Sequence, residues 1–242
     1  MISFADVTKT FGKLKALDKV SVDLLEGKTY ALVGPNGSGK TTLIKSLLGL
    51  VLPQKGIIRF NGNSIAKQWR YREDIGYMPQ IGHYPDNMTI GQLIEMMQNI
   101  RTNATTLDEE LFDGFKLYRL LDKRMHTLSG GTRQKVSAVL AFMFQPRVLI
   151  LDEPTAGLDP VSVELLKEKI MSEKAKGKLL LITSHVLSDL DELATDIVYM
   201  MDGKIQYNNP ISTLKNETNE ERLGKAIATF IRQKELISTI TQ

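Results

Sequence analysis

The chain has 242 residues, 42% of them hydrophobic, enough to bury a substantial core in one large domain or two small ones. Its 31 Lys and Arg nearly balance 28 Asp and Glu, which argues against a dedicated nucleic-acid surface, and with no cysteine it makes neither disulfides nor thiolate metal sites. No apolar run approaches the roughly 18–20 residues that cross a bilayer. The opening Met1-Ile2-Ser3-Phe4-Ala5-Asp6 lacks the basic region and apolar block of a signal peptide, so the expectation is a soluble, intracellular α/β protein.

Over residues 1–30 apolar and polar positions alternate (Val20, Val22, Leu24), which predicts half-exposed antiparallel strands. Lys28-Thr29-Tyr30-Ala31-Leu32-Val33 reads as a buried strand, and it runs into Gly34-Pro35-Asn36-Gly37-Ser38-Gly39-Lys40-Thr41-Thr42. That run fits G-x-x-x-x-G-K-[ST], a phosphate-binding loop. Its glycines (Gly34, Gly37, Gly39) let successive N–H groups converge on nucleotide phosphates. Lys40 would bring a point charge to the β/γ-phosphates, and the Thr41 hydroxyl would ligate Mg²⁺. Thr42 to Leu50 reads as a helix whose N-terminal dipole favours the anion. A glycine-rich turn without phosphate is the bland alternative, and the strand–turn–helix context weighs against it.

Gly56-Ile57-Ile58-Arg59-Phe60, closed by the Asn61-Gly62 turn signal, adds a strand to a small sheet around this core. From Thr89 to about Leu128 the pattern turns helical, with Ile90, Leu93, Ile94 and Met97 at helical spacing and a second helix expected from Asp108 to Leu120. Leu128-Ser129-Gly130-Gly131-Thr132-Arg133-Gln134-Lys135 follows, continued by the helical positions Val136, Val139, Leu140 and Met143. Ser129 and two glycines at a helix N-terminus would let an anion touch the backbone; alone, they read equally as a capped turn. Val148-Leu149-Ile150-Leu151 is apolar on both faces, as a central parallel strand requires, and it ends in Asp152-Glu153-Pro154. Asp152 at the strand's carboxyl end would hold Mg²⁺ through water, and Glu153 would polarise an attacking water. The alternative is a carboxylate pair that caps the next helix. Strands are expected near 148–152, 178–183 and 196–201, then a hairpin turn at Asp202-Gly203-Lys204 and a polar helical tail from Glu220 to Ile237.

Taken in order, these motifs resemble those of ATP-binding cassette (ABC) ATPases, and the resemblance extends from Phe11 to His185. It implies an α/β fold: a P-loop NTPase core with a mostly parallel sheet, an N-terminal antiparallel β subdomain and an inserted helical subdomain at about 86–145. The whole chain, 1–242, would be one ABC ATPase domain, its tail at about 210–242. Phe11 matches the aromatic that stacks on adenine, where the family usually has Tyr; an ordinary core aromatic is the other reading. Gln80, in Tyr77-Met78-Pro79-Gln80, matches the glutamine that reaches Mg²⁺. Ala156-Gly157-Leu158-Asp159 matches the loop that touches the opposite nucleotide site, and His185, after Thr183-Ser184, the histidine that contacts the γ-phosphate. Lys40, Glu153 and His185 would be catalytic, the P-loop from Gly34 to Thr42 with Phe11, Gln80, Ser129, Gly130 and Gly131 would hold ATP, and Thr41, Gln80 and Asp152 would hold Mg²⁺. Thr132 departs from the family, which most often has Gln there.

The same resemblance implies partners. Two copies related by a twofold axis would place each P-loop against the other copy's Ser129 region, with ATP between them. A separate integral membrane permease would dock near Gln80 and Ile81-Gly82-His83-Tyr84-Pro85, holding the chain at the cytoplasmic face of the cell membrane. Met78, Met88, Met96 and Met97 cluster around that loop and suit an adaptable groove or a core equally. The chain looks most like single-cassette ATPases paired with small exporter-type permeases. Residues 129–135 and 156–160 resemble the ATPases of the copper-processing complex that serves nitrous oxide reductase maturation. A soluble ABC ATPase of an assembly system, of the iron–sulfur type, is the alternative class.

Overall fold

The computed structural model describes residues 1–101 and 106–240, with side chains as far as residue 234. β1 (Ile2–Phe11) and β2 (Leu14–Leu24) pair antiparallel, and their inward residues show why the alternation slips. Ile2 and Phe4 face the core, then Val7 does; a bulge at Asp6, whose φ is 50°, moves the buried face by one residue. β4 (Lys55–Phe60) joins the other edge of β1 and returns through Asn61-Gly62 into β5 (Asn63–Ser64). This antiparallel sheet has the order β2-β1-β4-β5.

The second sheet contains β3 (Thr29–Val33), β6 (Ile75–Met78), β7 (Val148–Asp152), β8 (Leu179–Thr183), β9 (Asp196–Met201) and β10 (Lys204–Pro210). Its order is β10-β9-β3-β8-β7-β6, parallel throughout except for the β9–β10 hairpin. Successive side chains enter opposite cores. Val148 and Ile150 pack with the β1–β2 sheet and α1 (Lys40–Leu47), whereas Leu149 and Leu151 pack with the helices of the other face. That second face carries α2 (Ile90–Ile100), α3 (Glu110–Gly114), α4 (Gly130–Phe142), α5 (Pro160–Ala175) and α6 (Leu187–Leu193), with α7 (Ile211–Thr218) and α8 (Leu223–Ile240) closing it. Both faces being buried explains the nearly unbroken apolar strands.

Four expectations change in detail. The helix expected over Asp108–Leu120 is only α3 followed by a 3-10 turn at Leu117–Arg119, because Lys116 sits at φ 55° and turns Leu117 inward. The helix after the P-loop begins at Lys40 and ends at Leu47, earlier at both ends than Thr42–Leu50. β6, four residues long, has no counterpart among the expected strands. The tail is not simply polar: α8 buries Leu223, Ala226 and Ile227 and stacks Phe230 edge-on against Tyr199 and Tyr207, and α7 precedes it. Among the methionines near Gln80, Met78 is core, while Met96 and Met97 are half-buried against it.

Candidate active site

Open parallel sheets bind ligands at the carboxyl ends of their strands. Here the adjacent strands β3, β8, β7 and β6 end in the P-loop, His185, Asp152-Glu153 and Gln80 respectively, so four separate stretches of sequence meet along one sheet edge. They line a cleft of about 400 Å³ with Asn36 to Thr42, Gln80, Asp152, Glu153 and His185, and β1 and β2 complete its wall with Phe11, Leu14 and Ala16. Phe11 is 48% exposed, which removes it from the core and leaves its ring at the cleft mouth. The Lys9 ammonium lies 5.0 Å from the ring centroid.

The P-loop is fixed by two glycines that nothing larger could replace. Gly34 (φ 155°) would bring a Cβ to 2.1 Å from the Met200 carbonyl oxygen, and Gly39 (φ 106°) to 2.4 Å from that of Ala16. Gly39 is the N-cap of α1 and supplies no side-chain cap, so the first-turn N–H groups face the cleft. The Lys40 ammonium donates to the carbonyls of Gly34 (2.7 Å) and Pro35 (3.0 Å) and keeps a third proton for another acceptor. Burial lowers the Lys40 pKa from its usual value, against the pull of Glu153 and Asp152. Ser38 is 2% exposed, and its Oγ has no hydrogen-bond partner among the described residues. An orphaned hydroxyl, a third ammonium proton and uncapped N–H groups are what a polyphosphate would satisfy.

On the facing strand, Thr183 Oγ1 donates to Asp152 Oδ1 at 2.5 Å, locking the carboxylate in place. Glu153 then takes a φ of 54°, rare for a residue with a side chain, and its N–H donates to Thr183 Oγ1 (3.0 Å) and the Thr183 carbonyl (3.2 Å). The kink turns the Glu153 carboxylate toward His185, whose backbone N–H donates to Oε2 at 3.1 Å and whose Nε2 lies 3.5 Å from Oε1. Thr41, Gln80 and Asp152 offer a hydroxyl, an amide oxygen and a single carboxylate. That oxygen set fits Mg²⁺, which takes one or two carboxylates with phosphate and water.

Ser129, Gly130 and Gly131 do not line this cleft; they open α4, with Ser129 as N-cap accepting the Thr132 N–H. Their surroundings tie them to the loop after β7. A Cβ on Gly131 would lie 2.6 Å from the Gly157 carbonyl oxygen, and Lys135 pairs with Asp159 at 2.6 Å. Hydrogen bonds from Lys135 and Ser162 hold the Asp159 carboxyl far below the usual carboxylate range. Gln134, buried one turn into α4, donates to the Glu153 carbonyl at 3.3 Å. The cleft walls Leu14 and Ala16, the clamp Thr183 and the brace Gln134 were invisible in the sequence. Each is an ordinary residue type given its place by strand register or helix packing.

A glycine-rich loop between a buried strand and a helix, facing an acidic strand end across one sheet edge, defines a P-loop NTPase. Its family is narrower than that. The sequence profile described as ABC transporter matches residues 17–156. An uncharacterized ABC transporter ATP-binding protein, YhaQ of Bacillus subtilis (strain 168), is 33% identical over 92% of this chain and 76% of its own length. The lantibiotic transport ATP-binding protein SrtF of Streptococcus pyogenes is 32% identical over 85% of this chain and 89% of its own. A solved structure of an ATP-binding subunit of an ABC transporter superposes with a TM-score of 0.87 at 26% identity, covering 94% of this chain and 98% of that one. The chain therefore belongs to the ABC transporter family as an ATP-binding subunit, an ATPase whose hydrolysis is coupled to transport.

Proposed function

We propose that residues 1–242 form one ABC ATPase domain, with a helical subdomain at about 86–145, that works as a homodimer. Each ATP is held in the cleft of one copy and covered by Ser129, Gly130 and Gly131 of the other. The carrying observation is a mismatch: a phosphate-ready cleft and a second glycine-rich helix N-terminus that does not line it in the same chain. A twofold axis supports both with one surface.

Within the cleft, Phe11 stacks on adenine, the loop N–H groups and Lys40 bind the phosphates, and Ser38 Oγ acquires a partner. Thr41, Gln80 and Asp152 would hold Mg²⁺, which would supply positive charge to offset that of the phosphates. Glu153 accepts a proton from the attacking water as its oxygen bonds the γ-phosphorus and the bond to ADP breaks. His185 contacts the γ-phosphate and its backbone N–H keeps Glu153 aimed. Loss of the γ-phosphate removes the bridge between copies, and the pair opens.

The work reaches the membrane through a partner. Among the described residues no helix is long and apolar enough to cross a membrane. A groove of about 280 Å³, walled by Leu48, Leu50, Ile75, Tyr77, Tyr84, Met97 and Leu140 with Arg72 and Arg101 at its side, lies beside the Gln80 loop. It suits a cytoplasmic helix of a permease, which would hold the chain at the inner face of the cell membrane. We read the permease as an exporter type, in keeping with a relative named for lantibiotic transport. The copper-processing reading rests on residues 129–135 and 156–160 alone, and affinity purification from membranes, with identification of the permease, tests it.

Glu153→Gln tests the catalytic reading. ATP binding should persist while turnover falls by about 10²–10³, and size-exclusion chromatography with ATP and Mg²⁺ should show a lasting dimer. Near-normal hydrolysis would remove Glu153 from the role of general base.

A further inference from the structure

At the start of α4 one residue engages the cap hydroxyl twice. Ser129 Oγ accepts the Thr132 backbone N–H at 3.2 Å, and Thr132 Oγ1 lies 2.9 Å from the same oxygen. The start of α2 shows the usual alternative. There Thr89 Oγ1 accepts the Gln92 N–H at 3.2 Å, and the long Gln92 side chain reaches back to the Thr89 backbone N–H at 3.0 Å. Thr132 holds the corresponding third helical position in α4 but is too short to reach the backbone, so it closes on the hydroxyl instead.

A serine hydroxyl has one proton and two lone pairs. When both lone pairs are taken by Thr132, the proton is the only bonding capacity left, and Ser129 is exposed, so a partner outside this chain can reach it. Nothing crowds that approach: a Cβ on neighbouring Gly130 would meet no atom within 4 Å. We infer that Thr132 is a positioning residue whose Oγ1–H donates to Ser129 Oγ and so aims the Ser129 proton at the γ-phosphate of ATP held by the other copy. The inference rests on the shared-site reading above. When the phosphate withdraws, the Ser129 proton can turn to Thr132 Oγ1, so the pair reverses its bond rather than leaving a donor unmet.

The test compares Thr132→Val, which removes the hydroxyl at nearly constant shape, with Thr132→Ser and Ser129→Ala. All are made in the full chain carrying Glu153→Gln, so that ATP-bound pairs accumulate. Sedimentation with ATP and Mg²⁺ gives the dimer dissociation constant, and a titration at low protein concentration gives ATP affinity of the single copy. Thr132→Val should weaken pairing about five- to tenfold for each of the two sites, the worth of one hydrogen bond apiece, and so about 25- to 100-fold in the dimer dissociation constant. ATP affinity of the single copy should stay within about twofold, since Thr132 does not touch its own cleft, and Thr132→Ser should restore pairing. Parent-like pairing by Thr132→Val alongside weakened pairing by Ser129→Ala would overturn the role of Thr132. So would an equal fall in single-copy ATP affinity, which would mark a structural defect. Parent-like pairing by Ser129→Ala would instead sink the shared-site reading itself.

Discussion

α1 and α4 both begin on glycine-rich runs, yet they are finished differently. α1 starts from Gly39 at φ 106° with no side-chain cap, and its surroundings include an orphaned Ser38 hydroxyl and a Lys40 ammonium with a proton to spare. α4 starts from Ser129, whose side chain already satisfies the Thr132 N–H. The first end offers its N–H groups with no side-chain cap; at the second, a side chain of the same chain already meets one of them. One is thus built to capture phosphate and the other to present a preformed surface.

Glycine replacements give the largest expected separation between the two ends. Gly39→Ala would force a Cβ to 2.4 Å from the Ala16 carbonyl oxygen at a φ that disfavours side chains. Its ATP affinity should fall about a thousandfold or more by nucleotide titration. Gly130→Ala meets nothing within 4 Å in its own chain, so single-copy ATP binding should stay within about twofold while ATP-dependent pairing is lost. Equal losses of ATP binding in the two variants would erase the distinction.

A smaller effect separates them by pH. The Gly157–Asp159 loop that touches α4 leads into α5, and α5 is anchored by a buried ionic cluster. Lys169, 1% exposed, bonds Asp108 (2.5 Å), Glu110 (2.7 Å) and Glu173 (3.2 Å), and Glu173 also bonds Lys176 and Lys178. Burial alone would raise Glu173, but hydrogen bonds from Lys176 and Lys178 outweigh it and hold the carboxyl at about 2, against 4.5 unperturbed. A depressed carboxyl stabilises the fold above its unfolded pKa, and that stability drains as pH falls from about 4.5 through about 2, at most about 3 kcal/mol here. Hydrogen exchange at falling pH should therefore loosen α5 before β3 and α1, and Glu173→Gln should weaken the fold at neutral pH yet flatten its acid response. An unchanged acid response in that variant would place the sensitivity elsewhere.

The chemistry-bearing runs were legible because each carries local constraints: the P-loop between strand and helix, the apolar strand Val148–Leu151 ending in carboxylates, and Ser129 as a helix cap. What escaped depends on distant partners. Thr183 clamps Asp152 only because β8 lies beside β7 in register, a fact of sheet order. Lys169 reads as a solvated helix position, and its burial follows from carboxylates about sixty residues away. β6 escaped because four residues show no period, and Gly76 within it is set by contact with α4, where a Cβ would lie 2.0 Å from the Ala141 carbonyl oxygen. Phe11 could be read either way until its exposure placed it at the cleft mouth.

The central claim, that the uncapped end of α1 in one copy meets the Ser129-capped end of α4 in another, has a direct measurement. One population carries Lys40→Ala and a second carries Ser129→Arg. Each homodimer has two damaged sites, so neither should pair on ATP. In the mixed dimer one site collects both lesions, and the other joins an intact P-loop to an intact Ser129 run. ATP-dependent co-elution should therefore be stronger in the mixture than in either variant alone. Co-elution no better in the mixture, with both proteins folded by circular dichroism, would contradict the shared site.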